Sequence, residues 1–258
     1  MDGIVELLRN SGTSERQALM LVLLLLVLPL LALFAAQLRA GKRITLRPIR
    51  AFERLGTLIG QSAETGQPVH MSLGVGGIVD PSTAESLAGL ALMEHVAMQA
   101  TACGAPLKVT VSDPTLLPLA QDTSRKAWET HPYQYQVQEP EARLVAPDAT
   151  AYAAGVMDIL LGERVAANIM VGRFGPEYLL MGETGVKSRV PQVVGAADPQ
   201  VLPFVHATAD EALIGEEMFA AGAYLRPKAA HIASLRVQDW LRVFLILTIL
   251  LGVLLRSL

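Results

Sequence analysis

Apolar residues are concentrated in two terminal runs, and short apolar stretches alternate with longer amphipathic ones between them. Residues 18–38 are uncharged and rich in leucine, and the uncharged residues 243–255 lie between Arg242 and Arg256. A transmembrane helix needs about 20 apolar residues to cross a hydrocarbon core about 30 Å thick. The first run meets this length, and the second approaches it when it is extended to Trp240 and its flanking arginines reach the membrane surface.

Each run has an alternative interpretation. The first could be a cleaved signal peptide, but such apolar regions are usually about 7–15 residues long and do not precede a basic cluster. The second could be a helix that packs on the domain or lies in the membrane surface. Its apolar residues occupy all sides of the helix, which favours a span. The sequence therefore predicts transmembrane helices at 18–38 and 240–256.

Basic residues flank the inner ends of both runs. Between residues 39 and 54 there are six Lys or Arg residues against one acid. Because basic flanks remain on the cytoplasmic side, this bias predicts a cytoplasmic middle and both termini outside. We expect the following residues to meet anionic lipid headgroups: Arg39, Lys42, Arg43, Arg47, Arg50, Arg54, Arg236 and Arg242.

The middle of the chain reads as strands alternating with helices. Strands are predicted at 69–73, 107–111, 142–145, 166–171, 190–195 and 212–214. Helices are predicted at 82–102, 113–128, 149–163, 177–183, from 198, at 216–224 and 229–255. Residues 177–183 could instead form a hairpin strand. Because parallel connections require crossovers, this order predicts a Rossmann-like α/β fold, with a mostly parallel sheet and helices on both faces, flanked by the two transmembrane helices.

These predictions divide the chain into six segments. They are a short extracytoplasmic N-terminus (1–17), the first span (18–38), a basic juxtamembrane segment (39–65), the cytoplasmic α/β domain (66–225), a basic juxtamembrane helix (226–239) and the second span (240–256).

Charge is distributed unevenly along the chain. The net charge is −3, yet residues 60–225 contain eight basic and nineteen acidic residues, a net charge of −11. An acidic domain is a poor match for nucleic acid, because phosphate contacts require positive charge. The single cysteine, Cys103, excludes a disulfide scaffold.

A glycine-rich loop follows the first predicted strand. Gly74, Gly76, Gly77 and Asp80 lie where a doubly wound fold binds phosphate groups at a helix N-terminus, and Asp113 follows the next strand. These five residues are the candidate ligand-binding set. Val79 occupies the place of the third glycine of a dinucleotide motif, and Asp80 would repel an anion. The motif therefore leaves a small-molecule or nucleotide ligand open and identifies no cofactor.

No catalytic or metal motif is recognised. His206, Asp210, Glu211, Glu216 and Glu217 form the densest group of polar side chains, but their spacing fits no ligand motif, so we predict no metal. The sequence assigns no catalytic residue and leaves enzymatic activity undecided.

Residues 69–77 (VHMSLGVGG), 109–114 (VTVSDP) and 213–225 (LIGEEMFAAGAYL), together with the first apolar run, resemble an uncharacterised family of bacterial membrane proteins of unknown function. The resemblance implies a location in the bacterial inner membrane and no activity. The leading hypothesis is a membrane-anchored scaffold or interaction protein that associates with itself as a homo-oligomer. The alternatives are a ligand-binding sensor or enzyme that uses the glycine loop, and a subunit of a pore or transport assembly.

Overall fold

The computed structural model describes residues 15–40, 46–131 and 139–257. The predicted headgroup contacts Lys42 and Arg43, and the first 14 residues of the predicted extracytoplasmic segment, lie outside these ranges. The chain divides into two compact units, Arg47–Arg226 and a terminal unit made of Met1–Leu46 and Pro227–Leu258.

The helices and strands closely follow the predicted order. In sequence they are α1 Glu15–Arg39, α2 Arg50–Thr65, β1 Val69–Gly74, α3 Thr83–Cys103, β2 Leu107–Val111, α4 Leu117–Glu129, β3 Glu141–Leu144, α5 Ala149–Gly162, β4 Ala167–Arg173, α6 Tyr178–Lys187, β5 Gln192–Ala196, α7 Leu202–Thr208, β6 Glu211–Ile214, a 3₁₀ helix Gly215–Ala220, α8 Ala221–Leu225 and α9 Ala229–Ser257. The segment 177–183 lies in a helix, so the hairpin alternative is wrong. The predicted helix 216–224 is a 3₁₀ turn followed by a short α-helix.

The six strands form one parallel sheet in the order β3-β2-β1-β4-β5-β6. Helices α2, α3 and α4 contribute to the hydrophobic core on one face, and α5, α6 and α7 contribute to the core on the other. The predicted parallel α/β sheet with helices on both faces is therefore confirmed. The chain starts in the middle of the sheet, at β1, and winds outwards in both directions.

Helix α2 extends the folded unit towards the N-terminus, beyond the predicted domain boundary at residue 66. Its apolar positions recur with the helical period and fill the core between the helix and the sheet. Gly66 ends the helix with a left-handed backbone (φ +69°), and its N–H donates to the carbonyl of Ser62. The buried residues of α2 are Ala51, Phe52, Leu55, Leu58, Ile59 and Ser62.

The terminal unit consists of α1 and α9, which contact each other. Within the described ranges one helix, Ala229–Leu255, is long and apolar enough to cross a membrane. Leu23–Arg39 forms a shorter apolar helical stretch. The large apolar side chains between Val243 and Leu255 are 52–67% exposed, so the protein itself leaves this surface uncovered.

A chain of buried polar side chains crosses the sheet on the face covered by α5. The Ser72 hydroxyl lies 2.7 Å from the Tyr152 hydroxyl, which lies 2.9 Å from the Thr110 hydroxyl. Thr110 lies 3.0 Å from Nε2 of His70, and Nδ1 of His70 lies 2.7 Å from Oδ1 of Asn168. Strands β2, β1 and β4 are thus linked through their side chains as well as their backbones.

The far end of this polar chain determines the direction of its hydrogen bonds. Gln192 donates through Nε2 to two backbone carbonyls, so its Oε1 accepts from Asn168 at 3.0 Å. Oδ1 of Asn168 can only accept, so Nδ1 of His70 carries the proton. Nε2 of His70 then accepts from Thr110. A neutral His70 satisfies every step, and burial lowers the pKa of His70 to about 4 despite the opposing hydrogen bond to Asn168.

We predict that His70 makes stability depend on pH. Between about pH 4 and pH 6.5 the unfolded chain binds a proton that the folded protein does not, so stability falls as the pH falls through this window. The shift corresponds to about 3 kcal/mol in the free energy of unfolding. Denaturant unfolding of the full-length protein in detergent measures this change. His70→Gln should be less stable at pH 7 but should lose less stability on acidification than the wild type does.

Candidate functional site

The carboxyl ends of β1 and β4 form the switch point of the sheet, because the chain winds in opposite directions from these neighbouring strands. Ligands of open α/β folds bind at such a crevice. Here the ends of the two strands are close together. The Val75 amide donates to the Arg173 carbonyl at 2.8 Å, and a Cβ on Gly74 (φ +76°) would lie 2.1 Å from that same carbonyl oxygen.

The glycine loop after β1 uses its backbone amides internally. The Gly77 N–H donates to Asp80 Oδ2 at 3.3 Å and to the Ser82 hydroxyl at 3.1 Å. The Ile78 N–H donates to the Thr115 hydroxyl at 3.1 Å. These amides are the donors that a phosphate-binding loop directs at its ligand. In this protein the chain's own side chains accept from them.

The structure brings the predicted ligand-binding residues together. Gly77 lies directly over Asp113, because a Cβ on Gly77 would be 2.8 Å from that carboxylate. Asp113 Oδ1 accepts from the Thr115 N–H at 2.7 Å and also from the Thr115 hydroxyl. These residues therefore lie close together, and their mutual contacts close the loop against the start of the β2–α4 connection.

An ionic cluster that the sequence did not indicate lies beside this loop. Arg173, at the end of β4, pairs with Asp198 at 3.0 Å and approaches Glu85 at 3.6 Å. Burial raises the pKa of Glu85, an effect that Arg173 partly offsets. The hydrogen bond from the Ser82 hydroxyl lowers the pKa of Asp80. Three carboxylates around one guanidinium give the crevice a negative balance, which disfavours a phosphate ligand.

The second acidic group singled out in the sequence is dispersed among structural contacts. Asp210 accepts from the Gln192 N–H at 2.7 Å, and Glu217 pairs with Arg47. No three His, Cys, Asp or Glu side chains among the described residues are arranged to hold a metal ion.

The predicted headgroup contacts lie in both units. Arg47, Arg50 and Arg54 belong to the folded unit and are exposed. In the terminal unit Arg39 and Arg242 are exposed, and Arg236 is half-buried.

A surface groove of about 550 Å³ lies between α3 and α4. Its apolar wall includes Leu87, Met98 and Leu119, which are 50%, 40% and 41% exposed. Two ion pairs form its rim: Arg226 contacts Glu94 at 2.6 Å, and Lys126 contacts Asp122 at 2.5 Å. The rim is electrically neutral, unlike the strongly acidic domain around it.

We predict that Gly76 is required for packing at the switch point. A Cβ there would lie 2.5 Å from the Ser82 hydroxyl and 2.8 Å from both the Ser86 hydroxyl and Cβ of Arg173. Gly76→Ala should lower the free energy of unfolding by about 1–3 kcal/mol, as overpacking does. Gly60→Ala is the control, since nothing lies within 4 Å of its Cβ position, and alanine in a helix should stabilise by up to about 1 kcal/mol. Denaturant unfolding should separate the two variants, and equal stability would contradict the prediction.

The fold and this site define a doubly wound α/β protein that carries apolar helices near both ends and a self-closed glycine loop at the switch point. The chain belongs to the DUF6754 family, a domain of unknown function, and the match spans residues 9–258. No curated protein and no solved structure matches the chain. The resemblance to an uncharacterised family is thus confirmed, and it assigns no activity to any residue.

Proposed function

We propose that this protein is a membrane-anchored scaffold whose cytoplasmic α/β domain associates with copies of itself. The apolar surface of α9 supports the anchor. Its side chains from Val243 to Leu255 are more than half exposed, and exposed apolar area of this extent is costly in water and favourable in lipid. In this proposal residues 18–38 also span the membrane, as the first of the two spans, with Arg39 at the inner end.

The charge distribution supports the proposed orientation and headgroup contacts. Basic residues follow the first span and precede the second, which retains the intervening domain on the cytoplasmic side of the membrane. Residues 60–225 of this domain carry a net charge of −11, so this part of the domain is repelled by the anionic headgroups that attract the basic flanks. This charge pattern favours contact of the bilayer with the basic flanks and not with the acidic surface.

The groove between α3 and α4 is the main structural support for the proposed self-association. Two acidic domains repel each other, so they associate most readily where the surface is apolar and locally neutral. The groove meets both conditions, because exposed Leu87 and Leu119 lie beside a rim of two acids and two bases. A surface with both signs of charge can complement itself across a two-fold axis. A second copy of the chain is therefore the proposed occupant.

We predict that Leu119→Glu dissociates the assembly. A carboxylate buried in an apolar interface costs several kcal/mol, which corresponds to about a hundredfold or more in affinity. Native mass spectrometry of the full-length protein should show a multiple of the 27.6 kDa chain for the wild type and a monomer for the variant.

Leu180→Glu on α6 is the matched control, because Leu180 and Leu119 are both 41% exposed. It should retain the wild-type assembly, which should also persist at high salt because the screened repulsion opposes association. An unchanged assembly in Leu119→Glu, or dissociation of the wild type in salt, would count against this interface.

The single cysteine provides a test of orientation. Cys103 is exposed at the end of α3. In intact spheroplasts of a bacterial host, a membrane-impermeant maleimide should label it only after the membrane is permeabilised. Asp2→Cys in a Cys103→Ala background is the opposite case and should be labelled in intact spheroplasts. Labelling of Cys103 without permeabilisation would place the domain on the outside.

A further inference from the structure

A second pocket lies at the amino ends of the parallel strands, whereas the glycine loop lies at their carboxyl ends. It has a volume of about 370 Å³ and lies where α5 and α6 end and where strands β4 and β5 begin. This volume is near the lower end of the range for small-molecule sites, about 300–1,000 Å³. Its lining contains both apolar and polar residues. The polar residues are Gln67, Glu163, Arg164, Ser188 and Arg189.

Arg164 and Arg189 differ from most basic residues of this acidic domain because no carboxylate pairs with them. Of the eight basic residues between 60 and 225, five pair with carboxylates: Lys108, Arg125, Lys126, Arg173 and Lys187. The other three, Arg143, Arg164 and Arg189, pair with no carboxylate among the described residues, although nineteen acidic residues are present in the same range, and Arg164 and Arg189 both line this pocket. Two unpaired guanidinium groups therefore line one pocket.

Arg189 also occupies a strained backbone position. Its φ is +56°, and it is the one residue other than glycine with a positive φ among the described residues. Glycine usually occupies this position after a helix, because a side chain in the left-handed region is destabilising. An arginine here positions a charged side chain at the pocket at the expense of local stability, and such strain is often associated with function.

The helix C-termini at the amino ends of the strands repel an anion, whereas the two arginines attract it. The C-termini of α5 and α6 carry partial charges of about −0.5 each, about −1 together. The two guanidinium groups carry two full positive charges, which exceed this value. The carboxylate of Glu163 is held by Lys108 at 2.6 Å, so it does not neutralise the arginines. The pocket therefore keeps a positive balance.

The side chains, rather than the backbone, supply the donors. The amides of Ser188, Arg189 and Val190 donate to carbonyls at the end of α6, at 2.9–3.0 Å, and are thus occupied. Each guanidinium presents five N–H donors in a planar fork that fits the oxygens of a phosphate group. Ser188 and Gln67 add neutral donors to the lining.

We propose that this pocket binds a phosphate group, held between Arg164 and Arg189. The phosphate can belong to a small soluble molecule or to a lipid headgroup, and both present the same oxygens to the two arginines. The binding site is separate from the glycine loop, whose Gly77 and Ile78 amides donate to side chains of the protein itself, and from the α3–α4 groove. It does not depend on self-association, so either proposal can fail without the other.

The test measures thermal unfolding of the full-length protein in a non-ionic detergent during titration with inorganic phosphate, against sodium chloride of equal ionic strength. A ligand that binds the folded state raises the unfolding temperature in a saturable manner. Wild type should show this rise. Arg164→Gln and Arg189→Gly should each require at least tenfold more phosphate for the same rise.

Arg189→Gly separates binding from folding. Glycine relieves the left-handed strain, so this variant should unfold at a higher temperature than the wild type without phosphate, yet respond less to phosphate. Arg143→Gln is the matched control, because Arg143 pairs with no described carboxylate and does not line the pocket. It should respond as the wild type does. An equal response in all four proteins would show unspecific ion effects and overturn the proposal.

A second arm distinguishes the source of the phosphate. Nanodiscs of phosphatidylcholine, with and without phosphatidylglycerol, replace the detergent. Stabilisation by phosphatidylglycerol that requires both arginines, with no response to free phosphate, would assign the pocket to a headgroup. A response to free phosphate that requires both arginines, without a lipid effect, would assign it to a soluble ligand. If neither probe stabilises the wild type, the proposal is wrong.

Discussion

The buried hydrogen-bonded chain from Ser72 to Gln192 is the constraint on which the sheet depends. His70, Asn168 and Gln192 occupy the same row of the ladder on three adjacent strands, so each side chain meets its partner only in this register. A slip of any one of these strands by one residue would turn its polar side chain towards the opposite face and leave the buried polar groups beside it without partners. Apolar burial favours a compact sheet in general, whereas this polar row favours one alignment of β1, β4 and β5. The central strands are therefore held in place by a condition that apolar packing alone would not impose.

The carboxyl and amino ends of the parallel strands differ in the charged side chains that lie there. Parallel strands with antiparallel helices place helix N-termini at the carboxyl edge and helix C-termini at the amino edge, so the carboxyl edge normally attracts anions. In this protein acids occupy the carboxyl edge, where Asp80, Glu85 and Asp198 surround Arg173. Two of the loop amides there, those of Gly77 and Ile78, donate to the side chains of Asp80, Ser82 and Thr115. The usual phosphate site is thus closed, and unpaired cations lie at the opposite edge.

The order of elements could be predicted from the sequence because each parallel strand is a short apolar run between turns. The alternation of apolar and polar residues in Val-His-Met-Ser-Leu is typical of a half-exposed strand, whereas both faces of β1 are buried. The sequence predicts a membrane flank and no helix at α2, because Arg47, Arg50 and Arg54 are typical of such a flank, although Phe52, Leu55 and Ile59 have helical spacing. Similar local sequences also diverge: Glu-Tyr-Leu-Leu-Met-Gly-Glu contributes to α6, whereas Glu-Ala-Leu-Ile forms β6. The tertiary environment of each segment, and not its local sequence, determines whether it forms a helix or a strand.

The arginine pocket shows which site features a single sequence hides. Arg164 and Arg189 are separated along the chain by a strand and a helix, and neither belongs to a known motif. Each is followed by valine and then by a strand, in Glu-Arg-Val before β4 and Ser-Arg-Val before β5. Because β4 and β5 are parallel neighbours, equivalent residues before them meet at the same edge. The repeated Arg-Val could have suggested this proximity once the strand order was known. The backbone strain at Arg189 could not have been read from sequence, since a left-handed residue is usually signalled by glycine or asparagine.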